Sequence, residues 1–208
     1  MSEEKKVVLG FYFDQSKCTG CKTCHVSCKS RSDLKDGLIW RRVYESAGGT
    51  FQGNADGSFN NDVHAFYTSV SCNHCGLPAC TAACPVGAVH KDEKTGLVLP
   101  DDEKCIGCGM CASACPYDAP QIDTERRKMT KCDGCIDRLE IGLKPICVES
   151  CPLHALDFGD MEELRAKYGD SDPHLAPLPD QKATMASLII KRNKHGSKPT
   201  KVINAREV

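Results

Sequence analysis

The sequence predicts an α+β fold built on an internal repeat, with short strands and helices set around cysteines. Three observations carry this. The 16 cysteines of the 208-residue chain fall into four groups of four, with none left over. These are Cys18, Cys21, Cys24 and Cys28; Cys72, Cys75, Cys80 and Cys84; Cys105, Cys108, Cys111 and Cys115; and Cys132, Cys135, Cys147 and Cys151. The flanks repeat as well. "FDQSKCTGCKTC" (13–24) parallels "PDDEKCIGCGMC" (100–111), each with an acid four residues before the first Cys and a Lys just before it. Between the second and third groups, "AVHKDEKTGLVLPDDEKC" reads as strand, Gly-containing turn, strand.

Composition explains why cysteine must supply cohesion. Aromatic residues make up 6% of the chain and there is one Trp, so large apolar groups are scarce. Metal ligands or disulfides are the usual substitutes. The charges balance, 27 Lys+Arg against 28 Asp+Glu, which argues against a nucleic-acid binder. No segment has the roughly 18–20 consecutive apolar residues of a membrane span. "MSEEKKVVLGFYFDQ" lacks the apolar core and cleavage site of a secretory signal, and its apolar part reads as a strand. The Arg pairs 41–42 and 126–127 lie too far inside the chain for a twin-arginine signal. The expectation is a chain that folds where thiols stay reduced.

Groups one and three follow C-x2-C-x2-C-x3-C, and Pro follows the last cysteine of groups two, three and four, at Pro85, Pro116 and Pro152. This is the bacterial ferredoxin run, in which three cysteines bind one [4Fe–4S] cube and the fourth reaches another. Cysteines three apart in a tight loop can face successive irons of one cube. The fourth opens a helix, where Pro suits the first turn because it lacks an N–H. Groups two and four insert "GLPA" and "IDRLEIGLKPI" between their second and third ligands. Three groups end Cys-Pro, two residues, Ala: "CPVGAV", "CPYDAP", "CPLHAL". Two such halves make a ferredoxin-like module around two cubes, so four groups imply two modules and four cubes.

Zinc and disulfides are the rival readings. Zinc sites use paired C-x2-C knuckles, and three cysteines at i, i+3 and i+6 leave ligands over. A disulfide framework fits neither the spacing nor the missing secretory signal. His25 and His74 lie inside cysteine loops, as hydrogen-bond donors that tune a cube or as plain loop residues. Lys17, Lys104 and Lys131 each precede the first cysteine of a group. They could offset the about −8 of four oxidised cubes with their thiolates, or simply stand exposed on loop shoulders.

Residues 29–71 form the longest insertion, with "WRRVYESAGGTF", a Gly/Asn-rich loop "GNADGSFNND" and a buried strand "VHAFYTSVSC". It reads as a docking surface or as a lid over a cube. "GDMEELRAKYGD" (159–170) reads as a short helix with an Asp160/Glu163 capping box, an apolar face of Met161, Leu164 and Tyr168, and Gly169 as its stop. "PHLAPLPDQ" (173–181) reads as extended, and the Lys/Arg-rich end as an arm on a partner or a disordered segment. No dinucleotide fingerprint, P-loop, zincin motif or nucleophile elbow is present. The chain reads as a mover of electrons, with no catalytic residue of its own.

The order of the groups resembles the four-cluster subunits of complex molybdopterin oxidoreductases. "CTGCKTC", "RVYESAGG", "SCNHCGLPACTAACPVGAVHK", "CIGCGMCASACPYDAPQ", "MTKCDGCIDR", "KPICVESCPLHALDFG" and "APLP" together resemble the iron–sulfur (B) subunits of anaerobic dimethyl sulfoxide reductase. The likeness runs from about residue 10 to about residue 180. It implies a heterotrimer. In it this chain wires a menaquinol-oxidising membrane anchor to a molybdopterin catalytic subunit that reduces the sulfoxide. It also implies the pairing of ligands: Cys18, Cys21, Cys24 and Cys151; Cys28, Cys132, Cys135 and Cys147; Cys72, Cys75, Cys80 and Cys115; Cys84, Cys105, Cys108 and Cys111.

On that pairing, 6–45 with 122–160 form an outer module and 63–121 an inner one. Residues 46–62 are an insertion loop, and 161–208 a helix and C-terminal extension. Related nitrate reductase subunits carry Trp at the position of Cys108 and hold a three-iron cluster there, so Cys108 implies four-iron cubes throughout. The resemblance also implies a membrane-associated protein, on the periplasmic face if it is exported with its catalytic partner or on the cytoplasmic face if not. The alternatives are the same role in a thiosulfate, polysulfide, tetrathionate or selenate reductase or a formate dehydrogenase, and a free polyferredoxin.

Overall fold

The structure is a computed structural model and describes residues 7–170 and 177–208. Helices and strands mix along the chain, and among the described residues no helix exceeds nine residues. Helices that short do not hold themselves together in water, so packing must hold them. No helix among the described residues is long and apolar enough to cross a membrane.

Strand β1 (Leu9–Asp14) is the centre of the largest core. It pairs antiparallel with β10 (Leu156–Asp160) and parallel with β11 (Leu188–Lys191). Alternation puts Phe11 and Phe13 on one face, against Leu156, Phe158, Leu188, Ile190 and Cys24. Tyr12 points the other way, with Ile189, onto helix α6 (Met161–Tyr168). Buried on both faces, the strand reads as a continuous apolar run rather than an alternating one. Gly10 is required here, because a Cβ would sit 2.3 Å from Met161 Sδ and 2.4 Å from the Ser187 carbonyl.

Helix α6 follows the sequence reading. Asp160 caps it by accepting from the Glu162 and Glu163 amides at 2.9 and 3.3 Å. Met161 and Leu164 are buried, Tyr168 stacks on Tyr12 with centroids 3.6 Å apart, and Gly169 ends the helix with φ +81°.

Strands β2 (Arg42–Gly48) and β5 (His64–Val70) form an antiparallel pair. Between them, the segment expected as loop carries a second ladder, β3 (Phe51–Gly53) with β4 (Phe59–Asn61), and Phe51 stacks on Phe59 at 5.0 Å. The segment expected as a docking surface or a lid is partly turned inward. Arg41 and Arg42 are 2% and 5% exposed, and Trp40 donates to Thr130 Oγ1 at 3.1 Å. Strands β6 (Val89–Lys91) and β7 (Val98–Pro100) make the expected hairpin, and β8 (Gln121–Asp123) pairs with β9 (Lys128–Thr130).

The C-terminal segment is not disordered: it packs on its own chain. After β11 it crosses to β12 (Lys201–Val202), which pairs with the free edge of β2. Asn204 then accepts from the Glu45 amide and donates to the Val43 carbonyl, both at 2.8 Å. A Lys/Arg-rich composition hid this, because main-chain pairing and one Asn carry the contact. Residues 173–176 of the segment expected as extended lie outside the described residues.

Asp157 ties α6 to the rest. Burial pushes its carboxyl up, but hydrogen bonds from Lys144 Nζ (2.5 Å), Tyr168 OH (2.7 Å) and Lys167 Nζ (3.0 Å) outweigh burial and hold it well below the ordinary carboxylate range. A depressed carboxylate stabilises the fold above its unfolded pKa of about 4, and that contribution is lost as pH falls toward the folded value. Asp157→Asn is expected to speed amide exchange in α6 about tenfold at pH 7, roughly 1.4 kcal/mol of opening free energy. The ratio to wild type should shrink at pH values below about 4.

Candidate metal centres

Short helices bring the thiols of separate groups together. Cys24 and Cys28 lie on α1 (Thr23–Arg31), which packs on α5 (Ile146–Glu149) carrying Cys147. Cys80 on α2 (Ala79–Ala82) meets α3 (Met110–Ala114) carrying Cys111. Cys18, Cys21 and Cys24 line one cavity with Cys151. Cys105, Cys108 and Cys111 line another with Cys84. Cys75 and Cys80 act electrostatically on Cys72 and Cys115, and Cys28 on Cys147 and on Cys135, which precedes α4 (Ile136–Glu140). Cys132 stands between the last two sets, beside Cys28 and Cys72.

Two backbone turns recur and explain the repeats. In the opening C-x2-C, the residue before the second Cys is left-handed: Gly20, Gly107 and Gly134 have φ +71°, +69° and +73°. At Gly107 a Cβ would lie 2.2 Å from the Arg127 carbonyl. In the closing Cys-Pro-x-x-Ala, the residue before Ala is left-handed too: Gly87, Asp118 and His154 have φ +65°, +50° and +46°. That turn swings the Ala amide back onto the sulfur. Ala88 N–H donates to Cys84 Sγ at 3.2 Å and Ala155 N–H to Cys151 Sγ at 3.3 Å. The Ala119 amide bonds Cys115 likewise. The repeated acid is a turn former. Asp14 accepts from the Ser16 amide at 2.8 Å and Asp101 from the Glu103 amide at 3.0 Å.

The interior disfavours bare thiolates. Burial pushes the Cys18, Cys75 and Cys80 thiols up to about 11 and Cys28 up to about 12. Cys21, the exposed one of its set, is lowered by hydrogen bonds from Thr23. The buried thiols ionise only when a metal takes the proton's place. All sixteen are free of disulfides. Among the described residues no three His, Cys, Asp or Glu side chains stand close enough to share one ion. Thiols that line a shared cavity without closing on one ion suit a polynuclear cube better than zinc.

The two histidines part ways. His25 is half-buried, its pKa lowered by burial and by Lys22 and Lys29. His74 is 0% exposed and occupies, at φ +44°, the left-handed position that is Gly in the other groups. Its Nδ1 accepts from the Val98 amide at 3.0 Å, so the proton sits on Nε2, which faces Cys132 Sγ at 3.9 Å. Burial and Lys131 keep the ring neutral. The lysines part similarly. Lys17 and Lys104 are exposed, Lys104 pairing with Asp101 at 2.7 Å, whereas Lys131 is 0% exposed and donates to the Val98 and Cys132 carbonyls. Arg41 and Arg42, in the segment read as a docking surface or a lid, are buried cations too; nothing in "WRRV" marks them as interior.

Residues 63–161 match the family of 4Fe-4S dicluster domains, and residues 15–32 match a 4Fe-4S binding domain. The fold and its thiol sites therefore define a [4Fe–4S] protein of ferredoxin type. The chain is 53% identical over 191 residues to the B chain of anaerobic dimethyl sulfoxide reductase from Escherichia coli, covering 92% of this chain and 91% of that one. It is 52% identical over 186 residues to the corresponding B chain of Haemophilus influenzae, covering 89% and 90%. The B subunit of sulfite dehydrogenase from Allochromatium vinosum is 39% identical over 168 residues, 74% of this chain and 70% of that one. The chain belongs to the family of iron–sulfur B chains of the anaerobic dimethyl sulfoxide reductases, and is an electron-transfer subunit.

Two glycines separate steric need from conformational need. Gly109 is also left-handed at φ +78°, but a Cβ there meets nothing within 4 Å. Gly109→Ala should cost only the left-handed backbone, about 1–2 kcal/mol, and keep its iron. Gly107→Ala should lose part of the iron, because the carbonyl it strikes blocks the turn that aims Cys105 and Cys108. Iron analysis of the anaerobically purified variants checks both.

Proposed function

We propose that the chain holds four [4Fe–4S] clusters on the sets Cys18/Cys21/Cys24/Cys151, Cys28/Cys132/Cys135/Cys147, Cys72/Cys75/Cys80/Cys115 and Cys84/Cys105/Cys108/Cys111. It relays electrons from a quinol-oxidising membrane anchor to a molybdopterin catalytic subunit that reduces dimethyl sulfoxide. Bound there, the clusters supply one-electron relay.

One observation carries this reading: the sets follow one another in line. Cys80 shares a core with Cys105 and Cys111, Cys72 neighbours Cys132, and Cys24 neighbours Cys147. Only the end sets reach solvent well, at Cys108 and Cys21. Tunnelling falls exponentially with distance, so a long path needs closely spaced stations. At one end Ile106 and Met110 beside Cys108 are 62% and 53% exposed, the apolar surface an anchor would cover. The residues between the ends exclude water, and amides on Cys84, Cys105, Cys115 and Cys151 steady the sulfurs.

The two modules, 6–45 with 122–160 and 63–121, fit the pairing of β1 with β10, which closes the ends of the outer one. With both partners the assembly is a heterotrimer, membrane-associated through the anchor, and on the periplasmic face if carried out with the catalytic subunit. The likeness to the sulfite dehydrogenase B subunit and to a formate dehydrogenase iron–sulfur subunit keeps a sibling enzyme as the second reading.

Capture of the chain from anaerobically grown native membranes tests this. Co-captured molybdenum, with oxidation of a reduced dye by dimethyl sulfoxide, is the expected result. Molybdenum without that activity moves the chain to a sibling enzyme. The chain captured alone with iron and sulfide overturns the wiring role.

A further inference from the structure

Arg41 is a buried cation with no carboxylate in an ion pair with it among the described residues. Its side chain is 2% exposed. Nη1 donates to Ser69 Oγ at 3.2 Å and Nη2 to Ser71 Oγ at 2.9 Å, and the guanidinium lies 4.6 Å from the centre of the Phe11 ring. Its Nε has no hydrogen-bond partner among the described residues. The ionisable groups that act on it most are the thiols of Cys147, Cys24, Cys132 and Cys28. Two hydroxyls and a ring face do not compensate a desolvated guanidinium. Negative charge on those four sulfurs would. They belong to two adjoining sets, so Arg41 sits at the junction between them.

Ser69 adds a directed contact. A guanidinium only donates, so Ser69 Oγ accepts from Arg41 and its own proton is free to point elsewhere. The other polar atom beside it is Cys24 Sγ, 3.4 Å away. The order Arg41, Ser69, Cys24 therefore has one sense, with every donor facing toward the sulfur. It also fixes the hydroxyl, which in isolation could turn either way.

We propose that Arg41 raises the reduction potentials of the clusters on Cys18/Cys21/Cys24/Cys151 and Cys28/Cys132/Cys135/Cys147, through its fixed charge on both and through Ser69 on Cys24. This rests on the cluster reading above. Adding an electron adds negative charge, and a cation held in a low-dielectric interior favours the reduced form. A guanidinium stays charged at any pH the protein meets, so its contribution does not vary with pH. The other two sets lie beyond the neighbouring Cys72 and Cys132, and Lys131 acts on Cys80 of one of them.

Redox titration of the native complex, monitored by electron paramagnetic resonance, tests the proposal with Arg41→Gln, Arg41→Lys and Ser69→Ala. Arg41→Gln should lower two of four potentials, each by a tenfold fall in the reduced-to-oxidised ratio, about 59 mV for a one-electron couple. The other two should stay in place. Arg41→Lys should hold both close to wild type, and Ser69→Ala should lower one alone, by less. Four unshifted potentials in a fully iron-loaded Arg41→Gln protein overturn the proposal, as does an equal shift of all four. If Arg41→Gln fails to load iron, Ser69→Ala decides: an unshifted potential in that loaded variant also overturns it. A wild-type complex with neither iron nor cluster signals would instead defeat the cluster reading itself.

Discussion

A sulfur that is to ligate iron must lose water, and this chain turns most of its sixteen thiols inward from loops and short helices, leaving Cys21 and Cys108 exposed. The backbone does it with left-handed residues. One precedes the second cysteine of each C-x2-C and another precedes the Ala of each Cys-Pro-x-x-Ala. The first turn aims neighbouring thiols at a common gap. The second brings an amide back to the sulfur that has crossed to another set. Glycine serves where a carbonyl or ring presses close, as at Gly107 and Gly20, and Asp118 or His154 where the side chain has room outside.

That demand shapes the rest of the fold. Elements are short because loops take up the chain, and the helices carry cysteines rather than long apolar stripes. Cohesion falls to β1, buried on both faces between β10 and β11, which joins the start of the chain to residues 156–160 and 188–191. The cysteines themselves are members of three apolar clusters. Inward thiols also call for inward cations. Lys131 and Arg41 stand where successive sets adjoin, and the neutral His74 directs its Nε2 proton at Cys132.

The thiol groups, the β6–β7 hairpin and helix α6 were legible in the sequence because each leaves a local mark: fixed spacing, a Gly turn, a cap with an apolar face. The closing Cys-Pro was misread as the opening of a helix: Cys84, Cys115 and Cys151 instead follow α2, α3 and α5, and the chain then turns through the left-handed Gly87, Asp118 and His154. Gathering thiols from different groups left no local mark and came from family likeness. The roles of Lys17, Lys104 and Lys131 were not separable, since all three precede a first cysteine and only tertiary packing buries the third. Arg41 and Arg42 looked like surface residues because a guanidinium is seldom interior. The C-terminal segment looked like an arm because its charge says nothing of the open edge of β2 that Lys201 and Val202 pair with.

The central claim is that all sixteen thiols serve four cubes of the same kind. Iron and acid-labile sulfide, measured per chain on anaerobically isolated protein, address it directly. About sixteen of each per chain is the predicted result. Zinc in place of iron, or about eight iron and eight sulfide on a fully folded chain, would contradict it.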